Sequence, residues 1–145
     1  MSTIKSFRNL KVWVEARLLN QLVFDKILSN SEIKDFPLKD QINRSSGSVM
    51  DNIAEGFGRG GTKEFVVFLG YSLGSLNEVE SQLIRTLDRS YIDQEAFDEF
   101  SSLTQKLTGM LISFSNYLRN SGYRGAKFKV EEPPEVYGSN PKPKT

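Results

Sequence analysis

Residues 41–82 read QINRSSGSVMDNIAEGFGRGGTKEFVVFLGYSLGSLNEVESQ. Two amphipathic patterns meet there at the glycine-rich run Gly56-Phe57-Gly58-Arg59-Gly60-Gly61. Before the run, Leu38, Ile42, Ser45, Val49, Ile53 and Gly56 recur at three- and four-residue steps, the period of one helix face. That face is narrow and rich in small side chains, which let a second backbone come close. Gly47 costs about 1 kcal/mol against alanine in a helix interior, so a close helix–helix crossing is expected there. After the run, Phe65, Phe68, Leu69, Ser72, Leu76, Val79, Leu83 and Leu87 form the longest stripe in the chain. Val67, Tyr71, Leu73 and Ile84 lie partly off it, and a helix apolar on more than one face is central or pairs with another subunit.

The spacing predicts helices over 37–56 and 62–89. Pro37 suits a first helical position, Gly56 or Gly58 suits a left-handed stop, and Thr62 suits an N-cap. Working outward, Leu10, Trp13, Val14, Leu18, Leu22 and Val23 predict a helix over 9–29. Asp93 reads as the N-cap of a fourth, 94–120, striped by Phe97, Phe100, Leu103, Leu107, Leu111, Phe114 and Leu118. No strand or hairpin pattern competes. The second and third connections are short, so neighbours run antiparallel. The fold class is all-α, an antiparallel up-down-up-down four-helix bundle over residues 1–121. Residues 122–145 hold four prolines, three glycines and few aliphatics, and read as a flexible basic tail.

Composition narrows the chemistry. The chain has no cysteine and no histidine, which removes disulfides, thiolate ligands and the commonest general base. No cofactor, metal site or catalytic residue is expected. There is no apolar run long enough to span a bilayer and no secretory signal pattern at the start, so the expected location is the cytoplasm, with no membrane contact. The net charge is +1, but it is uneven. Residues 1–118 hold 13 Lys/Arg against 15 Asp/Glu, and residues 119–145 hold 6 against 3. An exposed basic end favours weak contact with nucleic acid.

The motifs divide between chemistry and architecture. Gly56 to Gly61 fits G-x-G-x-x-G, but that fingerprint requires a preceding strand, so it reads as a helix-hairpin turn. Lys63 beside the start of the third helix leaves an anion site possible there. Asp51 and Glu55 share one helix face, and Glu78 and Glu80 lie on the partner helix. Such pairs can act as acid and base, or pair structurally with Arg44, Arg59 or Arg85. Asn52 and Glu55 border the apolar stripe and need partners if buried. Phe7, Trp13 and Phe24 could stack on bases beside Arg8, Lys11 and Arg17, but helical spacing favours core packing.

The strings Gln41-Ile42-Asn43-Arg44, Asn52-Ile53-Ala54-Glu55-Gly56-Phe57-Gly58-Arg59, Lys63-Glu64-Phe65-x-x-Phe68-Leu69 and Leu73-Gly74-Ser75-Leu76-Asn77-Glu78-Val79-Glu80 carry a family likeness. With the opening Phe7-x-x-Leu10-x-Val12-Trp13, they resemble the four-helix-bundle proteins encoded by intervening sequences in bacterial large-subunit ribosomal RNA genes. The likeness covers about residues 4–120. It implies a homo-oligomer, commonly a five-fold ring, with no attached enzymatic activity. The family is similar to the accessory proteins of diversity-generating retroelements, which bind nucleic acid and a reverse transcriptase. By position, Arg44, Asn52, Glu55, Arg59 and Glu78 match the family's polar signature. Met50 stands where members often place proline, and Gly60-Gly61 replaces a more polar, often basic pair.

The expectation is therefore a non-enzymatic homo-oligomeric scaffold, a pentamer by resemblance, that contacts RNA or DNA or a nucleic-acid enzyme. The candidate contacts are Arg8, Lys11, Arg59, Lys63, Arg85, Arg89, Arg119, Arg124 and Lys127. Arg44, Asn52, Glu55 and Glu78 are expected to form a structural polar network. The alternatives are a protein–protein adaptor ring and a carboxylate-dependent hydrolase using Asp51, Glu55 and Glu78.

Overall fold

The computed structural model describes residues 4–121; the expected tail, with Arg124 and Lys127, lies outside the described residues. A 3-10 turn, Phe7–Asn9, leads into helix α1, Lys11–Val23, two residues later than the spacing predicts. Ser6 explains the delay: its side chain caps the turn through Arg8 N. α1 runs on into a π-helical turn, Phe24–Leu28, with Ser29 N bonded to Phe24 O at 2.9 Å. The remaining helices are α2, Phe36–Gly58; α3, Thr62–Asp88; and α4, Gln94–Asn120. The four helices pack antiparallel, each against its chain neighbours, and α1 closes on α4. The described residues form no strand.

The stripes read for α2, α3 and α4 become the core. α1 instead buries Val12, Ala16, Leu19 and Val23 and leaves Val14 and Leu18 of its predicted stripe exposed, because its buried face is rotated from the one the spacing picks out. Leu19, Ile42, Ile53, Phe65, Leu69, Leu76, Phe100, Leu107 and Phe114 are fully or almost fully buried. Burying a side chain of this size stabilises by roughly 1.5–3 kcal/mol before entropy is charged against it. Phe65 links three elements, meeting Phe114 of α4 edge-on at 5.3 Å and Phe57 of α2 at 6.0 Å. Trp13 and Phe7 meet edge-on at 5.0 Å and pack against this core. Phe24 is 52% exposed and takes no part in it.

The turn between α2 and α3 departs from expectation in three ways. α2 does not stop at Gly56: it continues through Gly56 to Gly58, and the left-handed residue is Gly60, at φ 81°. Thr62 is not the N-cap but the first helical residue and is buried, while Gly61 caps α3 with extended backbone and no side-chain bond. The close crossing is not at Gly47, where a Cβ would find nothing nearer than Asn20 Nδ2 at 4.0 Å. It is at Gly56, where a Cβ would lie 2.5 Å from Phe68 Cβ and 3.0 Å from Phe65 Cδ1. The Phe68 Cβ and ring, with the Phe65 ring, occupy the space a side chain would need. Met50 sits inside an unbroken α2 and packs half-buried on the core.

The far ends of the helices are held by side chains. α2 starts one residue before Pro37, because Asp35 is its N-cap and accepts from Leu38 N at 3.2 Å. Lys39 Nζ donates to the Asn30 carbonyl at 2.7 Å, tying down the α1–α2 connection. α3 ends in a Schellman arrangement. Tyr91 N reaches Thr86 O at 3.0 Å, Ser90 N reaches Leu87 O at 2.9 Å, and Ser90 takes φ 59°. Asp93 caps α4 through Ala96 N at 2.9 Å, as the sequence predicts.

Candidate functional site

Antiparallel packing gives the bundle two distinct ends. The start of α1, the α2–α3 turn and the finish of α4 share one, the turn end. The α1–α2 and α3–α4 connections share the other, the clamp end. Charge divides between them. Cut at mid-height, the turn half (residues 4–19, 48–75 and 107–121) holds seven Lys/Arg against four Asp/Glu, or +3. The clamp half (residues 20–47 and 76–106) holds seven against eleven, or −4.

Of the seven described cations singled out from the sequence, five collect at the turn end: Arg8, Lys11, Arg59, Lys63 and Arg119. All five are exposed. Arg8 lies over the Phe7 ring at 5.3 Å, and Arg59 lies over Phe68 at 4.9 Å while bonding Glu55 at 2.9 Å. That pair is exposed on both sides, and such i,i+4 pairs contribute only about 0.3–0.5 kcal/mol, so Arg59 remains available. Lys63 forms no ion pair among the described residues. Among the described residues Arg119 reaches only Asn116 Oδ1, at 3.5 Å.

Arg85 and Arg89 lie at the clamp end and are engaged there. Arg85 Nη2 donates to Gln41 Oε1 at 2.6 Å. Arg89 Nη1 donates to Asp35 Oδ2 at 2.8 Å, and the Tyr91 hydroxyl donates to the same oxygen at 3.2 Å. Asp35 thus joins the two connections of this end. Desolvation pushes its carboxyl up, but the Leu38 N–H, the Tyr91 hydroxyl and the Arg89 guanidinium outweigh that and hold it below its ordinary value. Desolvation and the neighbouring carboxylate push the Tyr91 phenol up.

The four residues expected to form one polar network do not bond to one another. Asn52 Nδ2 donates within α2, to the Ser48 carbonyl at 2.9 Å and Ser48 Oγ at 3.0 Å. Glu55 holds Arg59. Arg44 and Glu78 line the same cleft between α2 and α3, about 560 Å³ in volume, and neither forms an ion pair among the described residues. The cross-helix bonds come instead from small polar residues, two of which, Ser45 and Ser72, lie on the stripes themselves. Ser72 Oγ donates to the Val49 carbonyl at 2.8 Å, Ser75 Oγ to Ser48 Oγ at 3.1 Å, and Ser45 Oγ contacts the buried Gln82 side chain. The carboxylates considered for acid–base work are dispersed. Asp51 and Glu78 are exposed on different helices, and Glu80 accepts from Thr108 at 3.4 Å. Among the described residues no three potential metal ligands converge, and no helix is long and apolar enough to cross a membrane.

Comparison with known proteins agrees with the architecture. The model of the family described as 23S rRNA-intervening sequence protein matches residues 8–113. Among solved structures, the chain is similar to a protein of unknown function from the S23 ribosomal protein family of Bacteroides thetaiotaomicron. The two are 26% identical with a TM-score of 0.65, and the match covers 70% of this chain and 95% of that one. No curated protein matches. With the match running from the first turn of the bundle through most of α4, the chain belongs to the 23S rRNA-intervening sequence protein family.

Proposed function

We propose that this protein is a non-enzymatic, self-associating scaffold whose turn end contacts the phosphates of RNA or DNA. The segregation of charge carries this reading: five exposed cations gather at the end carrying +3, and the chain departs there into a segment with five further Lys/Arg against three Glu. Phosphate contacts supply the sequence-independent part of nucleic-acid affinity. The family likeness supports self-association, with a five-fold ring as its implied form. So do Val67 and Tyr71, two large exposed apolar side chains one turn apart on α3. A reverse transcriptase or another nucleic-acid enzyme is a second partner class consistent with that likeness.

The test is binding of a labelled single-stranded RNA to the full chain, followed by anisotropy as salt is raised. If all five cations meet phosphates, log K falls against log salt with a slope of about −3.5, at roughly 0.7 per phosphate. Absence of binding at about 50 mM salt rejects the reading. The adaptor alternative has its own support in the α2–α3 cleft, whose rim presents Arg44 and Glu78 with no in-chain partner among the described residues. Capture of a polypeptide that competing RNA does not displace and that Arg44→Glu abolishes would favour it.

A further inference from the structure

A groove of about 250 Å³ runs between α1 and α4. Its walls are Leu18, Leu22 and Leu103, and two carboxylates, Asp25 and Glu99, border it. Leu18 is 51% exposed, and Val14, one turn nearer the turn end, is 41% exposed. The Glu15–Lys106 ion pair, at 2.9 Å, bridges the two helices beside it. An apolar floor with an acidic rim is complementary to a segment that alternates apolar and basic side chains.

The chain carries such a segment. Residues 126–130 read Ala-Lys-Phe-Lys-Val. In extended backbone, successive side chains point to opposite faces, so Ala126, Phe128 and Val130 would share one face and Lys127 and Lys129 the other. The reach also fits. Leu103 lies eighteen residues before Ser121 along α4, about 27 Å at 1.5 Å per residue. Phe128 and Val130 follow Ser121 by seven and nine residues, about 23–25 and 30–32 Å of extended chain. A chain that reverses at Gly122 has six and eight residues left to Phe128 and Val130, about 20–22 and 26–29 Å, which brings Phe128 to the level of Val14 and Val130 to that of Leu18 and Leu103.

We propose that residues 126–130 fold back into the α1–α4 groove of their own chain, seating Phe128 and Val130 on Leu18, Leu22 and Leu103. Lys129, on the outer face, bends its aliphatic stem over the groove edge and brings its ammonium group to Glu99. The apolar contacts resist salt, and the exposed lysine contact is screened by it.

The natural chain has no cysteine, so an engineered pair reports contact without a competing thiol. Full-length Leu18→Cys/Val130→Cys is compared with Tyr71→Cys/Val130→Cys, whose first partner lies exposed on α3. Under mild oxidation, the first pair is expected to form an intrachain disulfide at least tenfold faster, and adding Phe128→Asp is expected to remove that advantage. Equal rates for the two pairs, or an advantage that survives Phe128→Asp, overturn the proposal. A disulfide found only between chains also overturns it, because the occupant is then the tail of a second copy.

Discussion

The two ends of the bundle solve one problem, holding antiparallel helices together, by opposite means. At the turn end α2 and α3 meet through contact: Gly56 lies against Phe68, Phe57 and Phe65 stack edge-on, and one left-handed glycine reverses the chain. Side-chain charge has little part in that closure, so the cations there point outward. At the clamp end two longer connections are held by polar bonds from Asp35, Lys39 and Arg89. Lys39, Arg85 and Arg89 are drawn into structure there. The difference teaches that surface charge alone does not identify a binding residue: Arg59 and Arg89 are both exposed and both paired, but only Arg89 holds two connections together.

The largest effect should come from breaking the contact end. Gly56→Ala forces a methyl group against the Phe68 Cβ, which belongs to a helix and cannot swing away. Overpacking of this kind typically costs about 1–3 kcal/mol, and chemical denaturation should place this variant at the upper part of that range. Asp35→Asn should have a smaller effect and a different signature. Asparagine still caps a helix, so what is lost is the charge that holds Arg89 and receives the Tyr91 hydroxyl. Asp35 has a lowered pKa in the folded chain, so its contribution is present above about pH 4. It is lost as pH falls through the depressed folded value. Thermal melts across pH 2–7 should show a lower Tm for Asp35→Asn at neutral pH and convergence with the parent in acid. The smallest effect is a gain. Gly47→Ala places a methyl group where nothing lies closer than 4.0 Å and should stabilise by up to about 1 kcal/mol. A loss there comparable to that at Gly56 would erase the distinction between the two glycines.

Periodicity and caps made the helices legible. The stripes through Ile53, Leu69, Leu76 and Leu107 all turned inward, and Asp93 alone announced the start of α4. What periodicity does not carry is height along the bundle. It places Gly47 and Gly56 in one narrow helix but does not say which of them meets α3. That depends on where the chain reverses, and Gly60 rather than Gly56 or Gly58 sets the point. The Asp35–Arg89–Tyr91 clamp was illegible for another reason, since its members are 54 and 56 residues apart. An aspartate two residues before Pro37 did offer a local cap signal. Of the candidate contacts, Arg8, Lys11, Arg59, Lys63 and Arg119 become a group only after the topology brings three distant stretches to one end.

One comparison tests the division of labour directly: RNA affinity and its salt slope for Arg59→Gln/Lys63→Gln/Arg119→Gln beside those for Arg85→Gln/Arg89→Gln. The turn-end variant should bind more weakly, with a slope about 2 shallower on single-stranded RNA, at roughly 0.7 per phosphate contact. The clamp-end variant should keep its slope and melt at a lower temperature. Equal losses of affinity from both variants, or a loss confined to the clamp-end variant, would contradict the account.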